Sequence, residues 1–184
     1  MHLRRNQTVY HLTVTAAAAA ALCVLSPWAV PLGPVPVSLC TMLLYLTAWL
    51  FPPGRAAAAA AVYVLVGAAG LPVFSGFMGG AGRLAGPTGG YLVGYLPLTA
   101  ICAGFVRRFP ARRGMWLLGL VLGTAVLYVL GTGWFCVQTR TGIPGGLAAC
   151  VLPFLPGDAV KIAAALLLGP ALRGRLERSG LLHE

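Results

Sequence analysis

The residues best able to do chemistry lie together near the end of the chain, in Pro156-Gly157-Asp158-Ala159-Val160-Lys161. Asp158 is the only acidic residue before Glu177, Lys161 is the only lysine, and both sit in apolar sequence. At the centre of a membrane helix each such charge costs about 2.5–3.5 kcal/mol, so a charge kept there points to function. On a helix, positions 158 and 161 are i and i+3 and share a face, aiming a carboxylate and an ammonium at one spot. The pair is either a self-neutralising ion pair that orients its helix or the polar part of a ligand site. Catalysis finds little else to work with. His2, His11 and His183 lie near the chain ends, and one embedded carboxylate cannot supply a paired acid and base. The cysteines at 23, 40, 102, 136 and 150 have no metal-ligand spacing, and only Cys136 and Cys150 lie where a disulfide is conceivable. A P-loop needs Gly-Lys, and the one lysine follows Val160. The reading is a binding protein without metal or cofactor, not an enzyme: one acceptor and one or two cations in apolar and aromatic surroundings make a small-molecule pocket.

The elements that must hold this pocket follow from composition. With 59% hydrophobic and 9% charged residues over 184 positions, the chain is a polytopic membrane protein and a single domain, 1–184. The net charge of +10 is topological and implies no nucleic acid. An all-α bundle of six transmembrane helices is expected, with spans at about 8–25, 37–51, 56–69, 91–106, 115–130 and 147–168. The first is read as uncleaved, because Leu22 beside Cys23 is too large for a lipoprotein cleavage box. A proline-rich turn occupies 31–36, and Pro52-Pro53-Gly54-Arg55 makes a tight reversal. Gly70 to Tyr91 is too glycine-rich for a spanning helix and too apolar for a solvated loop, so it reads as a lid or re-entrant segment over a cavity. A second loop is expected over 131–146, and Pro153 and Pro156 interrupt the start of the last span. Six crossings put Arg4, Arg5, Arg55, Arg107, Arg108, Arg112, Arg113, Arg173, Arg175 and Arg178 on one side and Arg83 and Arg140 on the other. By the positive-inside rule both termini are cytoplasmic, and the glycine-rich loop, Asp158 and Lys161 lie at the outer face of the cell membrane.

Three motifs in order carry a family resemblance: Gly70-Leu71-Pro72-Val73-Phe74 with Gly79-Gly80, Gly86-Pro87-Thr88-Gly89-Gly90-Tyr91-Leu92 with Gly94, and the 156–161 segment. Together they resemble the BioY family, the biotin-specific S components of energy-coupling-factor vitamin transporters. The resemblance implies a six-helix bundle that captures biotin at the outer face. It also implies partnership with a transmembrane T component and two cytosolic ATPases, which use the ATP that this chain does not. On this basis Asp158 accepts hydrogen bonds from the ureido N–H groups or orients Lys161, and Lys161 pairs with a ligand carboxylate or holds Asp158 ionised. Arg83 is the other candidate for the carboxylate, or else an exposed loop arginine. Gly89 and Gly90 allow close backbone approach to the ligand or simply form a turn. Thr88 and Tyr91 offer hydroxyls, Tyr91 alternatively anchoring at the membrane interface. Phe74, Phe77 and Trp134 are the candidates to pack on the ring system. In the family, small residues four apart on the first span dock onto the T component. Ala16/Ala20 and Ala17/Ala21 fit that pattern, and equally fit simple helix packing, for which Ala56 to Ala61 offer a second face. Competing readings are an S component for another vitamin, a solitary biotin facilitator, and an integral membrane enzyme acting on lipid.

Overall fold

The computed structural model describes residues 2–30 and 37–180, with side chains described over 9–29 and 38–180. The proline-rich turn at 31–36, the side chains of Arg4 and Arg5, and His183 lie outside the described residues. The elements are α1 (His2–Leu25), β1 (Ala29–Val30), β2 (Val37–Ser38), α2 (Cys40–Leu50), α3 (Pro53–Ala68), α4 (Ala81–Ala85), α5 (Gly89–Arg108), α6 (Arg113–Thr139), α7 (Ile143–Cys150) and α8 (Leu155–Arg178). Among the described residues the regular elements are helices, apart from a two-residue antiparallel ladder that pairs Ala29 with Ser38 and Val30 with Val37. Among the described residues three helices, α5, α6 and α8, are long and apolar enough to cross a membrane, and three shorter apolar helices accompany them: residues Val9–Leu25 of α1, with α2 and α3.

At the hub is α5, which packs against α2, α3, α4 and α6. Its closest partner is α6, and glycines on both helices make the approach possible. On α5, a Cβ at Gly90 would lie 2.3 Å from the Trp134 Cβ and 2.6 Å from the Leu130 carbonyl oxygen. On α6, one at Gly123 would lie 2.7 Å from the Cys102 sulfur. Gly90/Gly94 and Gly119/Gly123 are small residues four apart, the spacing that lets membrane helices meet closely where no hydrophobic drive separates protein from lipid. Buried hydroxyls add directed bonds. Thr124 gives its proton to the Leu120 carbonyl at 2.7 Å, so it accepts from Tyr45 of α2 at 2.6 Å. At the opposite end of the bundle from α4 and α7, the Arg55 guanidinium on α3 donates to Nδ1 of His11 on α1, 2.8 Å away.

Three expectations need correction. The helix of the second span begins only at Cys40, because residues 37–38 are held in the ladder with β1. The loop expected at 131–146 is helical through Thr139. Glycine costs about 1 kcal/mol against alanine in a helix, but at Gly131 the Tyr91 ring fills the space a side chain would take, with a Cβ 2.4 Å from its edge. This last part of α6 is also tied down: the Trp134 indole N–H donates to the Gly86 carbonyl at 2.9 Å and the Gln138 amide to the Ala85 carbonyl at 2.8 Å. The span expected at 147–168 is split. Pro144 starts α7, a turn follows at 151–154, and Pro156 sits in the first turn of α8, where its missing N–H costs nothing.

Filling the α5–α6 groove should weaken the bundle. Gly90→Val is expected to destabilise by about 1–3 kcal/mol through overpacking, read as a lower thermal unfolding midpoint in detergent. Gly133→Ala, where the added Cβ meets nothing within 4 Å, should raise the midpoint slightly, because alanine is the better helix former. Equal midpoints for both variants would contradict this account of the interface.

Candidate functional site

Asp158 sits in the first turn of α8, where the helix N-terminus favours an anion. Only 6% of the residue is exposed. Lys161, one turn on, donates to Asp158 Oδ1 at 3.1 Å and to Thr41 Oγ1 of α2 at 3.0 Å. The Tyr128 hydroxyl on α6 donates to Asp158 Oδ2 at 2.5 Å. Three helices thus hold one ion pair, and both carboxylate oxygens accept. A buried pair is poor evidence for stability, since apolar residues of the same volume usually do as well; its retention needs another reason.

That reason is the space beside it. A cavity with an empty volume of about 750 Å³, its open mouth included, is walled partly by Asp158, Lys161, Tyr128 and Thr41. Tyr91, Tyr95, Phe74, Phe154, Leu92 and Leu127 supply apolar and aromatic wall. Arg83, on α4, also lines it, and its guanidinium has no hydrogen bond or ion pair among the described residues. The charges around the cavity are therefore one carboxylate and two cations.

Residues 70–88 fold over this space as a set of turns. Phe74 and Met78 exchange backbone bonds at 2.8 and 3.2 Å around a tight loop in which Gly76 and Phe77 both have positive φ. The Gly76 N–H donates to the Pro27 carbonyl at 2.8 Å and the Gly80 N–H to the Gly67 carbonyl at 2.7 Å. Irregular backbone at membrane depth needs such internal partners. The Phe74 ring is anchored edge-on against Tyr63 at 5.6 Å and fills the hollow over Gly67.

Of the residues singled out in the sequence, Asp158, Lys161, Arg83, Thr88, Tyr91 and Phe74 line the cavity. Gly89 and Gly90 do not: the Leu84 carbonyl occupies the Cβ position of Gly89, and α6 occupies that of Gly90. Their close approach is to protein. The Tyr91 hydroxyl is used internally, donating to the Cys150 carbonyl at 3.1 Å and meeting Thr132 Oγ1 at 3.0 Å. Phe77 is exposed and meets Trp28 edge-on at 5.7 Å, and Trp134 is half-exposed with its indole on Gly86; neither lines the cavity. All five cysteines are free thiols. Among the described residues no group of three or more His, Cys, Asp or Glu gathers to hold a metal. Sequence reading missed Thr41, Ser38, Tyr95 and Tyr128. The available signal was their hydroxyls inside apolar spans, each needing a partner there.

On α1, Ala16, Ala17, Ala20 and Ala21 are all exposed, whereas Ala19 and Leu22 face the protein. On α3, Ala56, Ala59 and Ala60 are fully buried, Ala57 and Ala61 are partly buried and Ala58 is exposed. The two alanine runs, alike in sequence, are thus distinct in the fold.

Known proteins resemble this chain in sequence and in fold. The chain is 36% identical over 157 residues to the biotin transporter BioY of Thermotoga maritima, covering 83% of this chain and 90% of that one. It is 31% identical over 168 residues to the biotin transporter BioY2 of Lactococcus lactis subsp. cremoris, covering 91% and 92%. A crystal structure of the S-component for biotin from an ECF-type ABC transporter superposes with a TM-score of 0.84 at 26% identity, covering 92% of this chain and 93% of that one. The BioY family profile matches residues 2–178, which takes in every helix and every residue lining the cavity, and the chain therefore belongs to the BioY family.

Proposed function

We propose that this chain captures biotin in the cavity beside Asp158 and Lys161 and delivers it inward as the S component of an ECF-type transporter. The observation that carries the reading is the charge set of the cavity. One carboxylate that only accepts, one ammonium and one unpaired guanidinium leave an excess of one positive charge within aromatic and aliphatic walls. Biotin is complementary to that set. Its ureido N–H groups are donors for Asp158, its carboxylate brings the one negative charge that restores neutrality, and its thioether ring and aliphatic chain suit the apolar wall. The names of the relatives and of the structural neighbour support the same ligand. The family consists of transporters, and the chain is not an enzyme.

In this reading α1, α2, α3, α5, α6 and α8 are the six membrane spans. Both termini face the cytoplasm, as ten arginines against two favour, and the cavity opens outward. Arg83 takes the ligand carboxylate from α4, and Thr88 and the rings of Phe74 and Tyr91 complete the wall. Energy comes from a T component and two cytosolic ATPases. The T component docks on the stripe Ala16, Ala17, Ala20 and Ala21, which is exposed on α1 and small enough for a neighbouring helix to approach. Gly89 and Gly90 serve by letting α4 and α6 close on α5.

Equilibrium binding to the purified, detergent-solubilised protein tests the ligand. Biotin should bind tightly, and Asp158→Asn and Lys161→Met should each weaken it by about 30-fold or more, the loss typical of breaking a desolvated charge contact. No binding by a well-folded parent would sink the capture role. For the partner face, Ala16→Leu with Ala20→Leu should leave biotin binding intact and abolish co-purification with the T component and ATPases. Undiminished co-purification would move docking off α1.

A further inference from the structure

Hydrogen-bond direction around Asp158 is fixed by chemistry alone. Lys161 has only protons to give. It gives one to Asp158 Oδ1 at 3.1 Å and one to Thr41 Oγ1 at 3.0 Å. Thr41 accepts there, on a helix that packs against α8. The Tyr128 hydroxyl holds a single proton, and at 2.5 Å from Oδ2 it is committed to the carboxylate. Thr41, Lys161, Asp158 and Tyr128 thus form one chain of bonds across α2, α8 and α6, and every bond that reaches Asp158 points toward it. The carboxylate is gripped from both ends: Lys161 comes from its own helix, and Tyr128 comes from the helix opposite. Tyr91 provides the contrast on the same cavity wall, because its hydroxyl is used between α6 and α7 and exerts no hold on the ion pair.

We propose that Tyr128 is a specificity-determining positioning residue: it locks the Asp158 carboxylate in one orientation, so that a fixed pair of acceptor oxygens meets the ligand. This rests on the biotin reading above. A locked acceptor welcomes an N–H and repels an isosteric oxygen, because two lone-pair sets then face each other in a site with little water. A free carboxylate could turn aside and soften that clash. Discrimination built on an unpaired or repelling polar contact in a buried site is steep, whereas that built on shape alone is shallow. The expected signature of losing Tyr128 is therefore a change in selectivity as well as in affinity.

The test compares biotin with its two ring-oxygen analogues, in each of which one ureido N–H is replaced by oxygen, on the full-length protein in detergent. The parent should reject at least one analogue by about 100-fold or more, which identifies the N–H that faces Asp158. In Tyr128→Phe, biotin should bind about tenfold more weakly and that ratio should shrink by at least tenfold, in an unliganded protein that still unfolds cooperatively at a midpoint lowered by the loss of one hydrogen bond to a charged group. Should Tyr128→Phe fail to give a folded protein, Tyr128→Met carries the same comparison. Equal weakening of biotin and analogue, with the ratio unchanged, would overturn the inference and leave Tyr128 a packing residue; so would a parent that rejects neither analogue. A folded parent that binds no biotin is a separate result, overturning the capture reading on which the inference stands.

Discussion

A carboxylate and an ammonium inside an apolar bundle form the constraint to which the rest of the structure answers. Neither Asp158 nor Lys161 can be left without partners at that depth, and the pair alone does not satisfy its own donors and acceptors. Tyr128 and Thr41 make up the difference, which obliges α6 and α2 to lie on either side of the start of α8. That start is possible because Pro156 opens the helix, leaving Asp158 in the first turn with the helix dipole behind it. The cavity is then the space these three helices and α5 cannot fill with side chains while keeping the polar groups bonded.

The turns at 70–88 meet a second demand of the same kind. Backbone without helix needs partners wherever water is scarce, and here they come from the ends of α1 and α3 and from two side chains of α6. As a result the cover of the cavity is wired to three different helices, though it contains only one short helix of its own.

Much of this was legible in the sequence. Hydropathy outlined the helices, the lone charges marked one wall of the cavity, and the apolar glycine-rich stretch marked its cover. Two kinds of information were not legible, each for a physical reason. A hydroxyl such as that of Tyr128 or Thr41 has no local sequence partner; its meaning comes from a bond across the fold, thirty residues away for Tyr128 and 120 for Lys161 with Thr41. Glycine was read as a breaker of helices at Gly90 and Gly131, the rule in water, whereas both lie in helices that need a flat side for a neighbour. The same error of context made a loop of 131–139. Alanine was ambiguous in the reverse way: of two similar runs, the one on α3 buries Ala56, Ala59 and Ala60, whereas the one on α1 buries only Ala19 and leaves Ala16, Ala17, Ala20 and Ala21 exposed.

The brevity of α2 has a consequence for transit. At eleven residues it is about 16 Å long, roughly half the thickness of a bilayer's hydrocarbon layer, and it survives because none of its residues after Cys40 is exposed. The missing turns leave room at its start, where Ser38 and Thr41 line the cavity. A molecule resting against Thr41 and Lys161 thus lies level with the start of α2, and the length of that one short helix, not of a full span, is the depth of bundle that remains beyond it.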